Sequence, residues 1–102
     1  MSMFGGGSTA EWIARYEQGH QHPVNRVCHV VGIPMIALAV LLALVALFVD
    51  GLWTAVIALF ALGWIFQFVG HAFEGKPPEF FKDWRFLLVG LTWWSRKVTG
   101  KI

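Results

Sequence analysis

Two long apolar runs dominate the chain. Residues 30–49 are 20 positions without a charge, and residues 52–69 are 18 more in which Gln67 is the one strongly polar side chain. At about 1.5 Å of rise per residue, the first run covers the ~30 Å hydrocarbon core of a bilayer and the second nearly does. Asp50-Gly51 between them is a turn signal, so the pair predicts a transmembrane helical hairpin over about 24–49 and 52–74. Upstream, Ser8-Thr9-Ala10-Glu11 has the spacing of a capping box, and Trp12, Ile13 and Tyr16 recur among polar neighbours at i, i+1 and i+4. This predicts an amphipathic helix over residues 9–18, ended by Gly19, with Trp12 and Tyr16 anchored at headgroup level. Downstream, residues 86–94 are uncharged but too few to cross, and Lys82, Asp83, Arg85, Arg96 and Lys97 flank them. They predict a short interfacial helix with Trp84, Trp93 and Trp94 as belt residues. The expectation is an all-α membrane protein, one membrane-embedded helical domain over 1–102 with a flexible N-terminus over 1–8.

Composition sharpens that picture. The chain is 57% hydrophobic and 14% charged, against roughly 25% charged in an average soluble domain, so water is not its only solvent. Cys28 stands alone, which excludes an intrachain disulfide and any Cys-paired zinc site. The net charge of +2 contains no basic run dense enough to follow a nucleic-acid backbone. The first nine residues lack the charge and the apolar core of a signal peptide, so insertion is expected to rely on the first internal span. Arg15 and Arg26 precede the hairpin, Lys76, Lys82, Arg85, Arg96, Lys97 and Lys101 follow it, and none is near Asp50. The positive-inside rule then puts both termini in the cytoplasm, in a bacterial cytoplasmic membrane or a eukaryotic endoplasmic reticulum. Two spans and one amphipathic helix bury little by themselves, which makes a homo-oligomer a candidate assembly.

The polar residues gather at one end. His29 and His71 stand at equal distances in sequence from Asp50, 21 residues either way. Antiparallel helices of equal length bring them to the same depth, with His20 and His22 just outside. Asn25 and His29 lie one turn apart on the first helix, and Gln67, His71 and Glu74 at i, i+4 and i+7 on the second. Imidazoles with a carboxylate are the ligand types of a non-haem iron or similar divalent site, and Fe(II), Zn and Mn all suit them. His22, next to Pro23, reads instead as a helix cap. Other roles stay open: Glu74 as an ion-pair partner of Lys76 or Arg26, Asn25 and Gln67 as interhelical hydrogen-bond groups or as supports of the histidine tautomers. Arg26, Lys76 and Arg85 are cations available to a carboxylate or to lipid headgroups. Pro34 removes a helix hydrogen bond in the first span, where a kink is expected.

Two segments also resemble a known family. His20-Gln21-His22-Pro23-Val24-Asn25-Arg26-Val27-Cys28-His29-Val30-Val31-Gly32-Ile33-Pro34 resembles the H-x-N-P-x-N-x-x-x-H-x-x-G-x-P element of the 2-hydroxy-palmitic acid dioxygenase-like family of small membrane proteins. Gln67-Phe68-Val69-Gly70-His71-Ala72-Phe73-Glu74 resembles its second element, Q-F-x-G-H-x-x-F-E. His22 stands where the family usually has Asn. The resemblance implies an Fe(II)-dependent dioxygenase that takes 2-hydroxy fatty acids and O2, releasing CO2 and shortening the chain by one carbon in alpha-oxidation. It implies His20, His29, His71 and Glu74 as metal ligands and Asn25 and Gln67 as the amides behind them; for such a substrate, Arg26, Lys76 and Arg85 are, by their charge, the cations available to its carboxylate, with headgroup binding the favoured alternative. Rival readings are a bis-histidine haem between His29 and His71, and a structural or partner-binding membrane subunit. A transporter fits least, since neither span carries an ionisable residue in its middle.

Overall fold

The computed structural model describes residues 7–101, which hold four α-helices and a 3-10 turn and no strand. Most of the N-terminal stretch expected to be flexible, residues 1–6, lies outside the described residues. The elements are α1 (Thr9–Gln18), α2 (Pro23–Ala46), α3 (Trp53–Glu74), the 3-10 turn (Glu79–Phe81) and α4 (Phe86–Val98). α1 starts where the capping box requires: the Glu11 N–H donates to Ser8 Oγ at 3.1 Å, and the Ser8 N–H donates to the Glu11 carboxylate at 3.4 Å. α2 starts at Pro23, which lacks the N–H that a first helical turn leaves unpaired anyway, and His22 Nδ1 accepts from the Val24 N–H at 3.1 Å. It ends three residues earlier than the apolar run suggests, because residues 47–49 already belong to the turn that Gly51 closes at φ +87°.

α3 runs back along α2, and glycines set how close the two come. A Cβ on Gly32 would stand 2.8 Å from the Gly63 carbonyl oxygen, so the backbones meet where neither has a side chain. A Cβ on Gly70 would stand 3.0 Å from the Asn25 Cα; the glycine leaves the space that Asn25 fills. Both helices are long and apolar enough to cross a membrane, with mean hydropathies of 2.5 and 1.8. The protein buries only 22% and 28% of these apolar segments. Leu38, Leu41, Leu44, Ile57 and Ile65 all point outward.

α1 and α4 do the opposite. Trp12, Ile13 and Tyr16 of α1 meet Phe86, Val89 and Trp93 of α4 in the main buried cluster, and Val30 and Ile33 of α2 pack against it. The headgroup-level reading of Trp12 and Tyr16 is therefore corrected, since both are buried, as is Trp93. The reason is spacing. Phe86, Val89 and Trp93 at i, i+3 and i+7 give α4 an apolar stripe of its own, so the two stripes cover each other. Trp84 alone of the three expected belt residues stays mostly exposed. Trp94 is fastened by Pro34: without an N–H at position 34, the Val30 carbonyl has no helical donor, and the Trp94 indole N–H donates to it at 2.9 Å.

Candidate metal centre

Three histidines from three different segments converge. His20 sits in the α1–α2 loop, His29 on α2 and His71 on α3, all buried, and one ring nitrogen of each lies within 4.8 Å of the others. The equal distances of His29 and His71 from Asp50 were a sound guide to depth, since their ring centroids are 4.8 Å apart. That is too close for a haem between them, because two axial nitrogens at ~2.0 Å from one iron hold their ring centres about 6 Å apart.

The ring orientations are set by backbone. His20 Nδ1 lies 2.6 Å from the Tyr16 carbonyl oxygen and His29 Nδ1 lies 2.9 Å from that of Asn25, each one turn back. A carbonyl only accepts, so each Nδ1 carries the proton and donates. Each Nε2 then presents a bare lone pair, and the two Nε2 atoms face each other at 3.1 Å. Two lone pairs at that distance repel unless a cation lies between them. Burial holds the His20 imidazole down to about 4, against the opposing pull of its bond to Tyr16, so it is neutral at pH 7. Two nitrogens at ~2.1 Å on one metal ion, at right angles, stand about 3 Å apart. The observed spacing of 3.1 Å is compatible with one ion shared by the two rings. His71 adds a third imidazole whose buried Nδ1 has no hydrogen-bond partner. The three buried imidazoles are thus able to hold a metal ion, and Zn, Fe, Cu and Ni all accept such ligands.

His20 has no helix of its own, so its loop is tied down. Glu74 Oε1 accepts from the His22 N–H at 2.7 Å and from Asn25 Nδ2 at 3.2 Å, and Asn25 Nδ2 also donates to the Gly19 carbonyl at 3.2 Å. Arg26 Nε donates to the His20 carbonyl at 2.7 Å, and Lys76 Nζ to that of Gln18 at 3.4 Å. Tyr16 stacks on the His20 ring at 3.9 Å between centroids. Glu74 is thereby placed outside the imidazole group and on the loop, and Arg26 and Lys76 grip the same loop. Neither Asn25 nor Gln67 makes a side-chain hydrogen bond to a histidine ring; for His20 and His29 backbone carbonyls do that work.

The imidazoles open into a cavity of about 330 Å³, at the lower end of the ~300–1,000 Å³ usual for ligand sites. Ile33, Ala37 and Val40 continue its wall from His29 along α2, and Gln67, Trp64 and Phe60 continue it from His71 along α3. Each stripe runs about 16 Å at the helical rise. Phe86, Leu87 and Leu91 of α4 form the third side. Val40 and Phe60 at the far end are exposed on the outer surface, so the cavity runs from a nitrogen-rich head to an apolar mouth. A family model described as 2-hydroxy-palmitic acid dioxygenase Mpo1-like matches residues 7–102.

The chain belongs to the Mpo1-like family. No curated protein and no solved structure matches it. Within this Mpo1-like chain, sequence reasoning missed Tyr16 and Glu79, both of which line the cavity. Tyr16 had a signal, since it stands one turn before His20. Glu79 had none, because the turn after α3 folds back over the site through contacts no periodicity reveals: a Cβ on Gly19 would stand 3.2 Å from Glu79 Oε1.

Proposed function

We propose that this protein is an Fe(II)-dependent dioxygenase that shortens 2-hydroxy fatty acids by one carbon with release of CO2, and that it does so at the cytoplasmic face of a membrane. The observation that carries the reading is the pair of bare Nε2 atoms held 3.1 Å apart beside His71, at the polar end of an apolar cavity. The family description supplies the substrate class. His20, His29 and His71 would hold the iron, which when bound supplies O2 activation and a chelation point for the substrate's carboxylate and 2-hydroxyl.

The chain's own residues do the rest. The Tyr16 and Asn25 carbonyls keep the two imidazole tautomers fixed, so no reorganisation is needed when the ion enters. Glu74, Asn25, Arg26 and Lys76 position His20 by holding its loop. Ile33, Ala37, Val40, Trp64 and Phe60 take the acyl tail and exclude water from the head. Lipid covers the outward leucines of α2 and α3, so the exposed mouth lets the tail enter sideways from the bilayer. One domain over 1–102, with both termini cytoplasmic, fits this placement.

Metal analysis of detergent-purified protein, before and after anaerobic Fe(II) loading, tests the reading alongside a variant with His20, His29 and His71 all changed to Ala. We expect one iron per chain in the wild type, none in the variant at unchanged helical content, and O2-dependent loss of one carbon from 2-hydroxypalmitate. Iron retained by the triple variant, or iron bound without turnover, would reject it.

A further inference from the structure

Gln67 lies one helical turn from His71 on α3, where the cavity wall changes from imidazole to hydrocarbon. It is 6% exposed, and its Oε1 is buried with no hydrogen-bond partner. Both sequence-based roles for it fail to find a partner. The imidazole Nδ1 atoms of His20 and His29 are held by backbone, the buried Nδ1 of His71 makes no hydrogen bond to Gln67 either, and across the interface α2 offers Gly32, on which a Cβ would stand 3.1 Å from Gln67 Nε2. The glycine makes room for the amide and gives it nothing to bond. A buried acceptor left unpaired is costly, and Leu or Met would fill the same volume without that cost. Asn25 Oδ1 is unpaired as well, but Gln67 lines the cavity and Asn25 does not, so a group bound in the cavity is the available source of the missing donor for Gln67.

Its chemistry is narrow. The amide oxygen accepts, so it does not pair with a carboxylate, which at neutral pH is acceptor-only. A hydroxyl has the proton to give. On a 2-hydroxy acid the hydroxyl is carried on the tail side of the carboxylate, and Gln67 is on the tail side of the three histidines. We infer that Gln67 is the specificity-determining residue for the 2-hydroxyl: its Oε1 accepts the hydroxyl hydrogen, and this contact separates 2-hydroxy acids from unsubstituted fatty acids. The inference rests on the fatty-acid reading above and names one residue within it.

Equilibrium binding to the full chain loaded with Fe(II), under strict anaerobic conditions so that no turnover occurs, tests it. 2-Hydroxypalmitate and palmitate each compete against a fluorescent fatty acid for wild type, Gln67→Leu and Gln67→Met. Both variants should lose roughly 5- to 100-fold in affinity for 2-hydroxypalmitate, the range of one buried hydrogen bond. They should bind palmitate as well as or better than wild type, with the same iron content. A purely structural Gln67 would weaken both acids together or neither, and either result overturns the assignment. Wild type binding both acids equally also overturns it while sparing the fatty-acid site. Wild type with full iron that binds neither acid overturns the fatty-acid reading and this inference together.

Discussion

The two most hydrophobic helices of this protein are its least buried, and the two least hydrophobic supply its core. α2 and α3 leave most of their apolar surface outside, whereas Trp12 of α1 and Trp93 of α4 are 2% and 1% exposed. A protein folded in water alone would reverse this order. The contrast separates two kinds of apolar surface: one left facing outward on helices long and apolar enough to cross a membrane, and one that finds its partner within the chain. Only the second kind contributes folding energy by burial, and it is the second kind that positions His20.

The contrast breaks most visibly at Trp12. Its ring packs edge-on to Phe86 at 5.2 Å, with Arg15 over one face at 4.1 Å. Trp12→Ala should cost about 3–5 kcal/mol, the usual penalty for a buried Trp, and should also lower metal affinity, because α1 carries the Tyr16 carbonyl that orients His20. Leu41→Ala removes a side chain that is 62% exposed and should stay within about 0.5 kcal/mol. Thermal unfolding of both variants in the same detergent gives the comparison directly. Equal losses would mean that α2 packs against protein rather than lipid.

A smaller effect is expected where α2 and α3 touch. Gly63→Ala places a Cβ 3.0 Å from the Gly32 carbonyl oxygen and against Ile36. The helices must part, at about 1–3 kcal/mol, and His29 and His71 part with them. We expect weaker metal binding by titration together with the lower stability. Loss of stability at unchanged metal affinity would show that the imidazole spacing is set by the loops and not by the glycine contact.

What could be read in advance follows the same division. Run length and the Asp50-Gly51 turn predicted α2 and α3 because those signals are local, and the equal spacing of His29 and His71 from that turn is a consequence of helix geometry alone. α1 appeared at its observed bounds because a capping box is a local hydrogen-bond device. The meeting of α1 with α4 was not legible. An amphipathic stripe specifies that it needs an apolar partner and not which one, and a bilayer surface and Phe86, Val89 and Trp93 satisfy it equally. The grip of Glu74, Arg26 and Lys76 on the α1–α2 loop was hidden for the same reason: charge and position show that a group is available, while its partner depends on how a nonhelical loop returns.

One link between the two regions is a single hydrogen bond. Pro34 leaves the Val30 carbonyl without its helical donor, and the Trp94 N–H fills the vacancy at 2.9 Å. Trp94→Phe keeps most of the ring and removes only that donor, so it should cost about 1 kcal/mol. Pro34→Ala restores an N–H one turn after Val30, which then competes for the same oxygen. In that background Trp94→Phe should cost little, because the carbonyl already has a partner. A double-mutant cycle read by thermal unfolding in detergent isolates the coupling. Coupling close to the full single-variant cost would establish that the proline, by withholding one hydrogen bond inside α2, is what docks α4 against it. Independent, additive losses would assign the docking of α4 to the Phe86, Val89 and Trp93 stripe alone.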